Sequence, residues 1–437
     1  MFGKSAINRL ARKVGFIKRS SKLDALGFLD MLMFCHHQGY LQSLTDLACH
    51  LRSHMGINIT KQGLQERFNE KAVGFMEKLL GTVMGTELRE AQQQGLVSMF
   101  NRVRVKDSTK FSLPEAFNKV YKGFGGVVSK AKAIISIQFE YDLLSGKALG
   151  LKLTSGCRND QTDSRESLGD VREGDLFIRD LGYVTLSYIK KIVSGKAFFL
   201  NRVPANTQLY LDKEGRKPLD FKKCAKKLKK KKLDCMEVAV FLGKKELVPC
   251  RLIVSAVDEK TYEKRLRKAQ KHAKSKKVKV SDEHRDRIRL GLFITNVPQG
   301  WISTLQVQKV YSLRWQIELL FKVWKSQARI HQTKEMKIER FQCQLYAQLL
   351  WLLVNWKVFL GINGHVNAQT KGEKWASPWK FYKQVNRESS LLREIIINKK
   401  SPARWITELL DMAMPHFILE KKKGKSSFID HINILVL

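Results

Sequence analysis

Four residues of types that handle phosphate chemistry recur at fixed spacing between Tyr311 and Lys325. The stretch contains no Pro or Gly and its apolar residues recur at helical spacing, which predicts a single helix. At about 100° per residue, Tyr311, Arg314, Glu318 and Lys325 all fall within one arc of about 60°. A carboxylate beside two cations and a phenol is typical of a metal ligand flanked by phosphate-binding groups. A solvated face with an i, i+4 pair of Arg314 and Glu318 explains the pattern equally well.

Two aspartates upstream follow predicted β-strands. Val103 and Val105 alternate with basic residues, which predicts a strand with one buried face that ends at Asp107. The short apolar run 175–180 predicts another strand, which ends at Asp180. Open α/β sheets place their ligands at the carboxyl ends of strands. For a single aspartate, an Asx turn that leads out of the strand is the commoner explanation.

Together these three segments resemble a known family. The spacing Y-x2-R-x3-E-x6-K resembles the YREK signature of bacterial DDE transposases of the insertion-sequence-four family, to which the transposon-five transposase also belongs. The segments DSTKFSLP around Asp107 and RDLGY around Asp180 resemble the first and second aspartate motifs of the same family. The resemblance implies a cut-and-paste DNA transposase of an insertion sequence, which cleaves and rejoins strands through a hairpin intermediate.

The resemblance also implies roles for single residues. Asp107, Asp180 and Glu318 are expected to be catalytic and to hold two Mg²⁺ ions, for which Mn²⁺ is a plausible substitute. Trp315 projects close to the polar stripe and is a candidate for stacking on a base, although core packing explains it as well. The DNA-binding candidates are Tyr311, Arg314, Trp315, Lys322, Lys325, Lys61 and Arg67.

The charge of the chain favours a polyanionic partner. Its 437 residues include 80 Lys and Arg against 41 Asp and Glu, a formal net charge of +39. An excess of this size repels itself unless it meets a polyanion, so double-stranded DNA is the expected partner. The basic residues form no single amphipathic helix with a matching apolar face, which argues against a membrane surface.

The order of predicted elements fits an α/β fold with a ribonuclease-H-like mixed-sheet core. A strand, a hairpin over 132–154, a strand, a helix near 185–194 and a further strand follow one another, with aspartates at the ends of the first and fourth strands. The resemblance places a β-rich insertion before the glutamate helix. The expected domains are a helical DNA-binding domain (1–100), the core (101–203 and 290–362), a basic insertion (204–289) and a helical C-terminal region (363–437).

The N-terminal residues outline a helix-turn-helix. Ser43 is a candidate cap for one helix and Thr60 for a second, with a turn at Gly56 between them. The second helix, 61–69, then presents Lys61 and Arg67 to a groove. Two ordinary antiparallel helices explain the same signals, and more simply.

The run 222–232 and Trp301 bear on contacts with DNA. The lysine-dominated run 222–232 within the insertion reads as a basic, partly flexible arm that grips phosphates. Trp301 lies beyond the predicted strand 290–296, whereas the transposon-five pattern has its base-capturing Trp near the head of that strand, so no base-flipping residue is assigned.

The remaining signals bear on location and on alternatives. Seven scattered cysteines without a CxxC pair and the lack of a signal-peptide pattern predict a reducing bacterial cytoplasm, at the nucleoid. The apolar run 345–362 contains polar residues and is predicted to be a buried helix. A homodimer on DNA is implied by the family. A non-catalytic DNA-binding protein derived from a transposase and a non-transposing nuclease remain alternatives.

Overall fold

A computed structural model describes most of the chain, and its strands form one sheet. The described residues are 3–19, 21–34, 43–85, 98–124, 133–203, 207–396, 400–420 and 428–435. The strands are β1 (Arg102–Ser112), β2 (Ile134–Asp142), β3 (Ala148–Ser155), β4 (Asp175–Arg179), β5 (Phe198–Arg202), β6 (Leu209–Tyr210), β7 (Cys235–Leu242), β8 (Val248–Ala256) and β9 (Leu290–Thr295).

Helices surround this sheet and form both ends of the chain. They are α1 (Lys4–Lys13), α2 (Ala25–Phe34), α3 (Leu44–Met55), α4 (Lys61–Arg67), α5 (Glu70–Gly85), α6 (Asp160–Glu166), α7 (Leu186–Ser194), α8 (Phe221–Lys231), α9 (Glu259–Ser275), α10 (Asp282–Ile288), α11 (Val307–Ser312), α12 (Trp315–Gln327), α13 (Ile338–Gln369), α14 (Pro378–Arg387), α15 (Ser389–Ile396), α16 (Pro402–His416) and α17 (Phe428–Ile432).

The sheet is mixed, with strand order β3-β2-β1-β4-β5-β9-β8-β7-β6. β4 runs parallel to β1 and β5 runs parallel to β4, whereas β2 and β3 form the predicted antiparallel hairpin. The turn of that hairpin contains Gly146 at φ +69°, a left-handed conformation that favours glycine. The first five strands are thus consistent with a ribonuclease-H-like transposase core.

The segment 204–289 extends the same sheet. β8 pairs antiparallel with β9, which in turn pairs with β5, so β8, β7 and β6 prolong the sheet at that side. The run 222–232, which the sequence suggested to be a partly flexible arm, is instead largely helix α8, because Phe221, Cys224 and Leu228 recur on one face and are buried.

Alternating residues of the strands serve two separate cores. Val103, Val105 and Ile178 belong to a core with helices α12 and α13. On the other face, Phe177 and Phe199 pack in a core with α7 and α8. This alternation matters for the site, because successive side chains of a strand point to opposite faces of the sheet and so pack against different helices.

The predicted hydrophobic helix is α13, and it is buried. Among the described residues it is the one helix long and apolar enough to cross a bilayer, and 72% of its most apolar window is buried inside the protein. Its side chains pack against α5, α2 and α16. The expectation of a buried core helix is therefore confirmed.

The capping predictions for the N-terminal helices are also confirmed. The Ser43 side chain accepts a hydrogen bond from the Asp46 backbone N–H in a capping box, and Gly56 ends α3 at φ +67°. The Thr60 side chain accepts from the Gly63 N–H and begins α4, which ends two residues earlier than predicted, at Arg67. The arrangement α3–turn–α4 fits both a helix-turn-helix and a simple helix pair.

The expected single helix 311–325 is wrong in one respect. The backbone stays right-handed helical through Leu313 and Arg314, but the N–H groups of Leu313, Arg314 and Ile317 donate to carbonyls three residues back, which separates α11 from α12. Such tighter turns rotate the chain faster than an α-helix. Tyr311 therefore lies in the last turn of α11 and does not share a helix with Glu318.

Residues 428–435, a segment for which the sequence suggested no role, pack beside this junction. α17 contacts α11, and Ser312 Oγ lies 2.7 Å from His431 Nδ1. Ile432 and Leu435 are buried. The last described residues therefore support the helix that precedes Arg314.

Candidate active site

The register between β1 and β4 brings the two aspartates together. The last parallel pair is Lys106 with Arg179, so Asp107 and Asp180 are the next residue on each strand. β4 ends there as predicted, and Asp180 begins a short 3-10 turn. β1 does not end at Asp107 as expected but continues to Ser112, because it keeps pairing with β2 after β4 has turned away.

Helix α12 carries the glutamate to the same place. Its buried residues Ile317, Leu320, Phe321, Val323 and Trp324 anchor it in the core beside β1. Glu318, one residue after Ile317, lies at the edge of this buried stripe with a side chain 30% exposed. The three carboxylates, remote along the chain, therefore meet at one edge of the core.

The Arg314 guanidinium lies at the centre of these carboxylates. Its Nη1 donates to Asp107 Oδ2 at 2.7 Å and its Nη2 donates to Glu318 Oε1 at 2.7 Å. Its Nε lies 3.8 Å from Asp180 Oδ1, the loosest of the three contacts. The arginine side chain is only 10% exposed. One buried cation thus contacts all three acids.

The electrostatics of Asp107 reflect its burial first, with a smaller contribution from like charges nearby. Burial raises the pKa of Asp107 to about 6, against the lowering effect of the Ser108 N–H and Arg314, and the carboxylates of Asp180 and Glu318 raise it further. A cation close to such a carboxyl group stabilises its charged form and lowers its pKa. More positive charge than Arg314 supplies would therefore stabilise the three carboxylates further.

The donor set suits a hard divalent cation. Two aspartates and one glutamate offer oxygen ligands, the type that Mg²⁺ prefers. Among the described residues, no three Asp, Glu, His or Cys side chains are close enough to share a metal ion as they stand. At this site the reason is visible, because the Arg314 guanidinium stands between the carboxylates. The chemistry of the residues fits a metal, provided that Arg314 moves.

Tyr311 and Lys325 flank the acids without forming a stripe with them. Tyr311 is buried edge-on against the Phe293 ring at 5.2 Å, and burial raises its pKa to about 12. Lys325 Nζ donates to the Lys110 carbonyl at 3.1 Å, and burial lowers its pKa. Arg314 and Lys325 thus contact β1 at Asp107 and Lys110, whereas Tyr311 packs on Phe293 of β9.

The other DNA-binding candidates lie at the surface. Trp315 is 53% exposed, which answers the alternative of core packing, and its ring lies 5.9 Å from Arg314 Cζ. Lys322 and Lys61 are exposed, and Arg67 is half-buried. Trp301 packs on Phe100 and Phe198.

Sequence reasoning missed a buried tyrosine beneath the site. Tyr183, at the end of the turn that begins with Asp180, donates from its hydroxyl to Gln138 Oε1 on β2 at 2.7 Å, and its hydroxyl also interacts with Ser108, the neighbour of Asp107. It therefore ties the Asp180 turn to both β1 and β2. RDLGY contains this tyrosine, but nothing in the sequence pairs it with a glutamine 45 residues earlier.

A layer of buried charge lies on the opposite face of the same strands. Glu140 accepts from Arg104 Nε at 2.9 Å and from Arg179 Nη2 at 3.1 Å, and Lys106 pairs with Asp163. Lys106 and Arg179 are the residues that immediately precede the two site aspartates. The charge layer thus supports the strands from below.

Comparison with known proteins places this fold and site in a class. The family model described as "Transposase DDE domain" matches residues 98–354, more than half of the chain and all of the residues around Arg314. The chain therefore belongs to the DDE transposases. The resemblance to the insertion-sequence-four group is consistent with this result.

Known transposases are similar to this chain along most of its length. It is 28% identical over 439 residues to the transposase for insertion sequence element IS231B of Bacillus thuringiensis subsp. berliner, covering 97% of this chain and 90% of that protein. It is 31% identical over 364 residues to the IS231E transposase of Bacillus thuringiensis subsp. finitimus (79% and 75%) and 30% identical over 369 residues to the IS1151 transposase of Clostridium perfringens (81% and 78%). The activity is that of a DNA transposase, an enzyme that cleaves DNA and whose family depends on divalent metal ions.

Proposed function

We propose that this transposase excises and reinserts an insertion sequence by cleaving its DNA ends with Asp107, Asp180 and Glu318. The proposed reaction passes through a hairpin intermediate. The observation that carries the assignment is the convergence of the three carboxylates on one guanidinium. The three residues come from β1, the end of β4 and α12, which are far apart in the sequence, so no local interaction brings them together. A constellation of acids that crowd one another is the arrangement that metal-dependent phosphodiester cleavage requires.

The proposed cofactor is a pair of Mg²⁺ ions, with Mn²⁺ as a substitute. When bound, they supply charge neutralisation on the entering and leaving oxygens of the phosphodiester. Asp107, the least exposed of the three acids and one on which the charges of the other two act, would be the shared ligand. Asp180 and Glu318 each complete one side. The Asp107 side chain is 19% exposed and that of Asp180 is 46% exposed, so DNA would reach the site from the side of Asp180.

Arg314 has two partners in this proposal. Without DNA it neutralises the acids; with DNA its guanidinium turns to a phosphate, which it can hold by a bidentate fork. Tyr311 and Lys325 then bind neighbouring backbone, and Trp315 stacks on a base from its exposed position. After water makes the first cut, the freed 3′-OH attacks a phosphodiester of the opposite strand; that bond breaks, the flanking strand leaves with its own 3′-OH, and the element's end is closed as a hairpin. Water reopens the hairpin before strand transfer.

The proposed domains distribute the remaining tasks. Residues 1–100 recognise the ends of the element, with Lys61 and Arg67 of α4 placed toward a groove. Residues 101–203 and 290–362 form the catalytic core, 204–289 form the basic insertion, and 363–437 help to pair two protomers on DNA. We place the protein in the bacterial cytoplasm at the nucleoid, in keeping with its charge and with free thiols at all six described cysteines.

Metal removal tests the proposed function. With duplex DNA that carries the ends of the element, we expect nicked and hairpin products on a denaturing gel only when Mg²⁺ or Mn²⁺ is present, and none in excess chelator. Gel shifts in the same chelator should still show end binding, because Arg314 can neutralise the acids without metal. Cleavage that continues in chelator contradicts the metal assignment, and linear products without hairpins contradict the hairpin route alone.

Tyr183 offers a test of how the aspartates are positioned. Tyr183→Phe removes the hydrogen bond to Gln138, which frees the turn that carries Asp180. We expect the metal concentration for half-maximal cleavage to rise about 10–100-fold, as for other residues that orient metal ligands. The maximal rate at saturating metal should change much less. The measurement is a metal titration of single-turnover cleavage.

The matched control for this variant is Tyr382→Phe. Tyr382 is also fully buried and donates a single hydrogen bond, to the Leu352 carbonyl at 2.6 Å, but on α14. Tyr382→Phe should lose about 1 kcal/mol of stability for its one buried hydrogen bond. Tyr183→Phe should lose at least as much, because Ser108 loses a partner together with Gln138. If both shift the metal titration equally, Tyr183 contributes only to stability and has no positioning role.

A further inference from the structure

Helix α8 carries an unusual density of lysines. Lys222, 223, 226, 227, 229, 230, 231 and the terminal 232 are all exposed. Within the described part of the chain the ion pair found for this set is Lys223 with Asp220, at 3.9 Å and largely exposed. An exposed pair of this kind contributes little. The helix therefore presents a nearly uncompensated positive surface.

This surface is held rigidly, although its charges oppose helix formation. Lysines at i, i+4 positions, such as Lys222 with Lys226, destabilise an isolated helix. Those of the first turn also face the positive end of the helix dipole. What holds the helix is its opposite face, where Phe221, Cys224 and Leu228 are buried, and the cap of Asp220. A polyanion would relieve the repulsion without any rearrangement.

The partner chemistry follows from the buried face. A basic amphipathic helix that binds a membrane must insert its apolar side into the lipid. In α8 that side is already committed to the core with α7, β8 and β9. The exposed arc is left with ammonium groups alone, which bind phosphates as point charges without reading sequence.

The position of α8 separates this surface from the site. Along β9, Phe293 packs against Tyr311, which lies on the face of the sheet with Arg314. Leu292 and Ile294 point the other way, into the core under α8. The lysines thus lie on the face of the sheet opposite the carboxylates.

We propose that α8 is a second, sequence-independent DNA-binding surface, which holds the phosphate backbone of a duplex segment other than the one at the carboxylates. Lys222, Lys226 and Lys229, at i, i+4 and i+7, form one stripe on it. The neighbouring helix α10 packs against α8, and its Asp282 pairs with Arg285 of the same helix, at 4.0 Å, and not with a lysine of α8. The proposal rests on the proposed function only for its choice of DNA as the polyanion.

The salt dependence of binding tests it. We expect the full-length triple variant Lys222→Gln, Lys226→Gln, Lys229→Gln to bind a 40-bp duplex of unrelated sequence about tenfold more weakly, with a slope of log affinity against log salt that is smaller by about 2 to 3. Glutamine keeps the helix propensity of lysine, so folding should be preserved. Fluorescence anisotropy over a range of NaCl concentrations gives both quantities.

Controls separate a local surface from bulk charge. Lys371, Lys374 and Lys383, exposed on the C-terminal helical region, give a triple Gln variant with the same loss of charge. An equal loss of slope in this control overturns the proposal, as does an unchanged slope in the α8 variant. If the α8 variant binds the duplex like wild type but no longer binds phosphatidylserine vesicles, then α8 binds a membrane, and the proposed DNA-binding surface is overturned too.

A second measurement needs no variant. In wild-type protein, a saturating 40-bp duplex should protect Lys222, Lys226 and Lys229 from amine acetylation at least about tenfold, with Lys371, Lys374 and Lys383 unchanged, as read by mass spectrometry. Equal labelling of both sets refutes the surface. Failure of metal-dependent cleavage would leave these two results unaffected, so the proposed function and the proposed surface fail separately.

Discussion

Replacing Asp107 by Asn or Glu318 by Gln is expected to lower single-turnover cleavage by at least about 10³-fold, equivalent to about 4 kcal/mol in activation free energy. The amides match the carboxylates in shape but carry no charge, so they are poor ligands for a hard divalent ion. End binding should stay within a few fold of wild type, because neither side chain is needed to hold the backbone. The measurements are a cleavage time course and a gel shift on the same substrate.

A metal-specific readout distinguishes ligation from general electrostatics. Asp180→Cys offers a thiolate, which binds softer metals better than Mg²⁺. We expect this variant to be inactive with Mg²⁺ and to recover part of its cleavage with Mn²⁺. Asp411→Asn, an exposed acid on α16, is the control and should cleave normally. Cleavage within tenfold of wild type in any triad variant would remove that residue from the proposed site.

The largest expected effect on stability comes from Glu140. This fully buried carboxylate is the common partner of Arg104 and Arg179 on the face below the site. Glu140→Gln leaves the buried Arg179 guanidinium without its ion-pair partner, whereas Arg104 keeps Asp175 at 3.5 Å. Breaking a buried pair in this way costs about 3–5 kcal/mol. Urea unfolding at pH 7 measures the loss. Glu166→Gln, which breaks exposed pairs with Lys152 and Arg158, should cost less than about 1 kcal/mol.

The pH dependence of this loss follows from linkage. Burial alone raises the pKa of Glu140, but Arg179 and Arg104 outweigh it, and the pKa lies below its ordinary value of 4.5. A carboxyl whose folded pKa is lowered contributes stability above its unfolded pKa and loses it as pH falls through the folded value. The difference between wild type and Glu140→Gln should therefore shrink below about pH 4.5. A constant difference down to pH 3 would mean that packing, not charge, explains the loss.

Local sequence features predicted many of the elements well. The caps Ser43 and Thr60, the hairpin around Gly146 and the end of β4 at Asp180 all depend on side chains within a few residues. Their physics is local hydrogen bonding and backbone preference, which a single sequence displays. The charge of the chain likewise pointed to DNA without any knowledge of the fold.

Features that depend on neighbours in space were predicted less well. Whether β1 stops at Asp107 depends on β2, which pairs with it to Ser112. The split between α11 and α12 arises where tertiary packing overrides a continuous helical pattern, because α11 packs against α17 and β5, and α12 packs against β1 and α14. Similarly, α8 reads as a flexible arm until its three apolar residues meet a core supplied by distant strands.

By itself, the sequence determined the candidate acids, the signature spacing and a basic chain suited to DNA, because residue types and their local order are enough to state those. Only the tertiary structure decided that the three acids meet at the Arg314 guanidinium, that Tyr183 links the strands that carry two of them, and that the lysines of α8 lie on the opposite face. The physical reason is that the register of β1 with β4 and the docking of α12 depend on contacts between residues far apart in the chain.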